Sequence, residues 1–292
     1  MMSARFLTVV LERAFNMRDG FGREIDYMRI SVIDSCNLNC YYCNPCDNNE
    51  HCHALNILSV KEVLCIVRAA TRLGIKHFRL TGGEPLLHPQ LDEMVLQIKK
   101  IPGVSSVSLT TNAVLLVQHA KWLKEAGIDS INVSLDTIEA SEYERITKKP
   151  LLEEVKHGIN AAIECGIRVK INVVLTPQTD VVALTRYVAK KGTDIRFIEM
   201  MPVGEGHTNG VEPYKKVIGT LSKLYGEPCR INTEKTKEIN SGNDKRKIPD
   251  NGPAEYYIFP ELGIRVGLIQ AIHGKFCDTC NRIRVTADGR LM

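Results

Sequence analysis

Met28-Arg29-Ile30-Ser31-Val32-Ile33 runs directly into Asp34-Ser35-Cys36-Asn37-Leu38-Asn39-Cys40-Tyr41-Tyr42-Cys43-Asn44-Pro45, and this junction decides how the rest of the chain is read. The first half is a β-branched, apolar run with the character of a buried strand. The second sets Cys36, Cys40 and Cys43 at C-x3-C-x2-C, so three thiols leave the carboxyl end of a strand in one short loop. A closed tetrahedral zinc site and a fully ligated iron–sulfur cluster both usually take four protein ligands. Three thiolates on a four-iron cluster would leave one iron open to a small molecule. A zinc knuckle and a set of unrelated buried thiols are the alternatives.

Outward from this loop, Ser59 stands as a helix N-cap before an amphipathic run that stops at Gly74. Strand-like runs follow at His77 to Thr81, Val104 to Thr111, Ile128 to Leu135, Ile167 to Leu175 and Ile195 to Met200. Amphipathic segments at Gln90 to Lys100, Val117 to Ala126, Leu151 to Cys165 and Val181 to Lys191 separate them. This βα rhythm predicts an α/β fold, a partial TIM-type (β/α)6 barrel over residues 27–210, with a doubly wound open sheet as the alternative. Residues 1–26 read as a lead-in segment. Residues 211–292 read as a small α+β extension, with a helix from Pro213 to Tyr225 and strands at Glu255 to Phe259 and Gly263 to Ile269.

In such barrels the chemistry sits on loops at the carboxyl ends of the strands. Polar residues do recur there. Strand two ends in Thr81-Gly82-Gly83-Glu84-Pro85, where paired glycines allow close backbone approach and Glu84 can accept from an ammonium or hydroxyl group. Strand three ends in Thr110-Thr111-Asn112 and strand four carries Ser134 and Asp136, suited to a ribose or carboxylate, or simply to helix capping. Arg29, Arg79, Lys170 and Arg196 interrupt four apolar strand patterns. Buried cations are costly unless paired or facing a wet cavity, and four converging on one lumen call for a polyanion such as a triphosphate.

A second cysteine site lies in Phe276-Cys277-Asp278-Thr279-Cys280-Asn281-Arg282-Ile283-Arg284, where C-x2-C suits either zinc or iron–sulfur ligation. Arg282 and Arg284 alternate on a strand and share one face beside that pair. Guanidinium forks bind phosphates and purine edges well. Cys46 to His53 is a polar loop or an incidental zinc site. Thr233 to Gly252, with Asp244-Lys245-Arg246-Lys247, reads as a solvated loop.

A chain of 292 residues with 44% hydrophobic content can bury one large core, with or without an appendage. Its net charge of +4 gives no reason to expect a nucleic-acid surface. No apolar stretch reaches transmembrane length, and Phe6 to Leu11 is too short for a secretory signal. Ten cysteines in such a chain read as reduced cytoplasmic thiols available to metal.

C-x3-C-x2-C with Tyr42 before its last cysteine resembles the signature of the radical S-adenosylmethionine (SAM) enzymes. Together with Phe21-Gly22-Arg23, Leu80 to Leu87, Arg196 to Gly204 and the stretch from Phe276 to Gly289, it is similar to the GTP 3′,8-cyclase branch of that family, from about Phe21 onward. The resemblance implies a [4Fe-4S] cluster on Cys36, Cys40 and Cys43, whose open iron chelates SAM, and reductive cleavage of SAM to methionine and a 5′-deoxyadenosyl radical. It implies SAM contacts at Tyr42, Gly82, Gly83, Glu84, Thr110, Asn112 and Ser134. Arg29, Arg79, Lys170, Arg196, Arg282 and Arg284 would hold GTP, and Cys277 and Cys280 a second [4Fe-4S] cluster against guanine. The radical would take the 3′ hydrogen of the ribose, and C3′ would join C8 of guanine. The implied partners are a protein reductant and a cyclic pyranopterin monophosphate synthase acting on the product, with a homodimer possible. Neither nucleic acid nor membrane is expected. A third ligand of the second cluster is expected two positions beyond Met292, so the sequence reads as a fragment. Ser35, Asn44 and Ala113 stand where the family usually has arginine, methionine and glycine. A peptide-modifying radical SAM enzyme and a non-catalytic zinc module are the competing readings.

Overall fold

The structure, a computed structural model, describes residues 17–43, 56–201, 212–231, 253–274 and 276–292. The lead-in before Met17, the loops at Cys46 to His53 and Thr233 to Gly252, and Pro202 to Gly204 lie outside the described residues.

Six parallel strands run in chain order: β1 (Tyr27–Ser31), β2 (His77–Thr81), β3 (Ser106–Thr111), β4 (Ser130–Ser134), β5 (Val169–Leu175) and β6 (Asp194–Glu199). The crossovers carry α1 (Val60–Arg72), α2 (Leu91–Lys99), α3 (Leu116–Glu125), α4 (Ala140–Thr147), α5 (Leu152–Glu164) and α6 (Val181–Lys190). Helix α1 begins where expected, because Ser59 and Glu62 form a reciprocal capping box: the Glu62 amide donates to Ser59 Oγ at 3.3 Å and the Ser59 amide to Glu62 Oε2 at 2.8 Å. Helix α4 is absent from the sequence reading. Its eight residues offer only Tyr143 and Ile146 as large buried apolar anchors, too few for a recognisable helical stripe.

The carboxyl-terminal α+β extension joins the barrel sheet itself. After α7 (Pro213–Tyr225), β7 (Cys229–Ile231), β8 (Glu255–Ile258) and β9 (Arg265–Ile269) continue the sheet from its β6 edge, β9 being parallel to β6. Strand β10 (Arg282–Val285) crosses to the opposite edge and pairs parallel with β1. The order is therefore β10-β1-β2-β3-β4-β5-β6-β9-β8-β7, and the partial barrel is extended at both edges by the same terminal segment. Leu291 and Met292 then turn back antiparallel along β10 in the direction of Cys280, with mutual backbone hydrogen bonds between Met292 and Arg284.

Strand alternation explains why the barrel is hollow. Ile30, Phe78, Leu80, Leu109, Ile131, Ile171 and Phe197 are fully buried beneath the helices, each stabilising the fold by about 1.5–3 kcal/mol. The residues between them, Arg29, Arg79, Ser108, Asn132, Lys170 and Arg196, are polar. A parallel strand buried on both faces is ordinarily apolar throughout. Here the inner face is polar and encloses a cavity of about 390 Å³. That size lies within the range of small-molecule sites.

Candidate active site

The cavity runs from the loop of Cys36, Cys40 and Cys43 at the carboxyl ends of the strands to Tyr27, His77, Ser106 and Arg168 at their amino ends. The cysteine loop is tied down from three neighbouring strands. Its backbone lies directly on Gly82 and Gly83: the Gly83 amide donates to Ile33 O at 2.7 Å and the Glu84 amide to Ser35 O at 2.8 Å. A Cβ at Gly82 would fall 2.3 Å from Ile33 O, and one at Gly83 2.2 Å from Ser35 O. The sequence expects these glycines to admit a ligand. In the structure they first admit the cysteine loop.

Glu84 is buried, and its carboxylate is fixed by Thr111 Oγ1 at 2.6 Å, the Asn112 amide at 2.7 Å and the Leu86 amide at 3.0 Å. Burial pushes its carboxyl above the ordinary range. These three donors leave acceptor capacity on the cavity side. Asn112 Nδ2 donates to Asn37 Oδ1 at 2.7 Å and lies 3.8 Å from Cys36 Sγ. On the other side, Tyr42 OH donates to Asp136 Oδ2, whose Oδ1 accepts from the Val174 amide at 2.7 Å. Burial raises the Asp136 carboxyl to about 6 and the Tyr42 phenol well above its usual value.

All three cysteines line the cavity. Cys36 and Cys43 are exposed and Cys40 is half-buried, yet desolvation by the surrounding loop pushes each thiol up, Cys40 to about 12, with Asp136 raising Cys40 and Cys43 further. Among the described residues no three His, Cys, Asp or Glu side chains converge on a point suited to a single metal ion. A four-iron cluster takes one thiolate per iron, so three thiols leave one iron open. Three thiols around an open cavity fit such a cluster. Loading it would displace their protons.

Thr110 and Ser134 both line the cavity, and Thr110 Oγ1 is buried with no hydrogen-bond partner among the described residues. Deeper in lie Arg29, Arg79, Lys170, Arg196 and Arg282. Arg196 is buried and held by two side-chain amides: Nε donates to Asn172 Oδ1 at 2.9 Å and Nη2 to Asn132 Oδ1. Arg79 Nε donates to Ser108 Oγ at 3.1 Å, and its guanidinium covers the Tyr27 ring at 5.5 Å. Arg29 has a buried Nε without a partner among the described residues. Its guanidinium is lowered to about 10, by burial first and then by repulsion from Arg284, Arg79 and Arg282. Arg265, which the sequence reading passes over, shows the contrast: it forms a buried ion pair with Asp194 and is thereby structural.

Cys277 and Cys280 flank a short 3-10 turn before β10 and so stand at the amino ends of the strands. Cys280 lines a second cavity of about 400 Å³ with Phe276, Arg282, Arg284 and Met292, and this cavity shares Arg29 and Arg282 with the first. Arg284 faces the second cavity only. Arg23 of the Phe21-Gly22-Arg23 motif donates to the Cys277 carbonyl and is fixed by Asp19. Glu199 at the end of β6 accepts from His273 Nδ1 and from the amides of Ile272 and His273, which anchors the approach to Cys277. Neither contact can be read from linear spacing.

Sequence comparison divides the chain between two family profiles, the radical SAM superfamily over residues 30–184 and Molybdenum Cofactor Synthesis C over residues 193–292. The chain is 37% identical over 276 residues to the GTP 3′,8-cyclase of Clostridium perfringens strain SM101, covering 94% of this chain and 81% of that protein. It is 38% identical over 282 residues to the GTP 3′,8-cyclase of Pelotomaculum thermopropionicum, covering 94% and 82%. Among solved structures, Streptococcus suis SuiB bound to S-adenosylmethionine superposes with a TM-score of 0.62 at 13% identity, over 92% of this chain and 60% of that one. The SAM-bound enzyme anSMEcpe superposes with a TM-score of 0.55 at 19% identity, over 68% and 60%. This chain thus spans about 60% of the length of these two structures, and at such identities the likeness concerns the fold alone.

Proposed function

The chain belongs to the radical SAM superfamily and, within it, to the GTP 3′,8-cyclase family, and from that membership we propose that it converts GTP to (8S)-3′,8-cyclo-7,8-dihydroguanosine 5′-triphosphate in molybdenum cofactor biosynthesis. The observation that carries this reading is the band of cations deep in the lumen, in which Arg29 is repelled by three neighbouring arginines and has no carboxylate partner among the described residues. A polyanion would satisfy it. A peptide gives no reason for so many cations in one cavity.

In this reading Cys36, Cys40 and Cys43 would hold a [4Fe-4S] cluster that, with SAM bound beside it, would supply the 5′-deoxyadenosyl radical chemistry directed at C3′. Glu84 accepts from the SAM ammonium, and Thr110, Asn112 and Ser134 meet its ribose and carboxylate. The backbone at Gly82 and Gly83 and the Tyr42 ring close the pocket around it. Arg29, Arg79, Lys170 and Arg196 hold the triphosphate, while Arg282 and Arg284 face the purine. Cys277 and Cys280 supply two ligands toward a second cluster, and the return of Met292 along β10 brings the chain back in their direction. A protein reductant and a cyclic pyranopterin monophosphate synthase complete the sequence of reactions.

The test is 5′-deoxyadenosine formation by the anaerobically reconstituted chain with SAM and dithionite, with and without GTP. Stimulation by GTP, and loss of all product on Cys36→Ala, Cys40→Ala or Cys43→Ala, is the expected result. Product formation that ignores GTP would remove GTP from the reading, and activity retained by a cysteine variant would remove that thiol from the site.

A further inference from the structure

Strand register defines a row across the inner face that the sequence does not reveal. Arg284 is level with Arg29, Arg29 with Arg79, Arg79 with Ser108 and Ser108 with Ser130. Because Ile131 pairs with Val169, the residue level with Ser130 is Arg168, just before β5. Arg168 lies two positions before Lys170 and shares its inward face, and it lines the same cavity. Its Nη2 is buried and has no hydrogen-bond partner among the described residues. The carboxylate of Asp129, next in the chain to Ser130, is engaged by Lys99 at 2.9 Å and by the Val107 amide at 2.6 Å.

A buried guanidinium nitrogen left unpaired is costly, and two stand in this one row, at Arg29 and Arg168. Between them lie Arg79, itself a cation, and the hydroxyls of Ser108 and Ser130, which can donate to an anion but cannot neutralise a cation. Resting on the reading of GTP as substrate, we propose that Arg168 binds the terminal phosphate of the nucleotide and makes the site select triphosphates over shorter nucleotides. The reacting ribose must face the cysteine loop, and Phe276, Cys280 and Arg282 on the β10 side offer the purine its place. The phosphate chain is then left to the remaining cations, and its far end to the β5 and β6 wall. Along that wall Arg196, Lys170 and Arg168 offer successive cations from the carboxyl toward the amino ends of the strands, and Arg168 is the last of them.

Equilibrium dialysis of GTP, GDP and GMP against the anaerobically reconstituted protein tests this. The wild-type chain should prefer GTP to GDP, and Arg168→Ala should lose about 10- to 100-fold in GTP affinity, the worth of a charged hydrogen bond. GDP and GMP should change by less than about 2-fold, and Arg168→Lys should retain part of the preference. Equal losses for all three nucleotides would assign Arg168 to the fold, and an unchanged preference for GTP would exclude it from the phosphate site. Either outcome overturns the proposal alone. A wild-type protein that binds no GTP would overturn the functional reading and this proposal with it. Should Arg168→Ala fail to fold, Arg168→Lys and Arg168→Gln carry the same comparison.

Discussion

The two ends of the lumen are built on opposite principles. Around the cysteine loop the polar groups of Glu84, Asn112 and Asp136 are engaged by the protein itself, through hydrogen bonds with neighbouring strands and their loops. In the row of Arg284, Arg29, Arg79 and Arg168, buried donors at Arg29 and Arg168 are left unsatisfied among the described residues. The first region fixes its carboxylates and its amide without ligand and can hold its cofactor rigidly, as radical chemistry requires, while Thr110 Oγ1 and part of the acceptor capacity of Glu84 stay open at the cavity. The second is finished only by an anion. Stability stored at one end and strain stored at the other is the expected division between a cofactor mount and a substrate site.

The comparison breaks most severely at Gly83. A methyl group there would fall 2.2 Å from Ser35 O, against backbone that cannot rotate away. Gly83→Ala should displace the cysteine loop and abolish iron loading and 5′-deoxyadenosine formation together, while the fold and the cationic row remain. Iron and sulfide content after reconstitution, with circular dichroism as control, measures this. Full cluster content in the variant would mean that the loop is not held by this contact.

Arg29 sharpens the other side. Arg29→Met removes a repelled, partly unsatisfied cation and keeps similar apolar volume, so it should weaken GTP binding by about 10- to 100-fold and yet stabilise the substrate-free chain. A gain of about 1 kcal/mol corresponds to roughly 2 °C at this chain length. Dialysis with GTP and a melting curve without it give both numbers. A lower melting temperature would show that Arg29 is an integral part of the core.

Much of this contrast is legible in the sequence, and what is missing has identifiable causes. The six barrel strands emerge within one or two residues because apolar periodicity is local. The destination of β9 and β10, on opposite edges of one sheet, is set by pairing between distant segments, which periodicity does not encode. Arg29, Arg79, Lys170 and Arg196 stand out because each interrupts an apolar run. Arg168 does not, since it follows Gly166 and Ile167 at a strand start, where a charged residue looks like an ordinary solvated end. Its partners in the row become visible only once the register is known. Asp136 reads as a cap and becomes the anchor of Tyr42 only when β4 is brought beside the cysteine loop.

Asp136 gives the narrowest effect, confined to stability, and a defined sign. Its carboxyl is raised by burial from 3.8 to about 6, so the folded chain holds its proton more tightly than the unfolded chain does. Relative stability on this account is full below pH 3.8 and is lost as pH rises through about 6, to a limit of about 3 kcal/mol. Asp136→Asn imitates the protonated acid: its carbonyl can accept from the Val174 amide, and its amino group can donate to Tyr42 OH. In the cluster-free chain the variant and the wild type should melt together near pH 4, and the variant should melt progressively higher as pH rises to 8. A gap that stays constant between pH 4 and pH 8 would mean that Asp136 ionises without penalty, and the cysteine end would then share with the cationic row a reliance on its ligand.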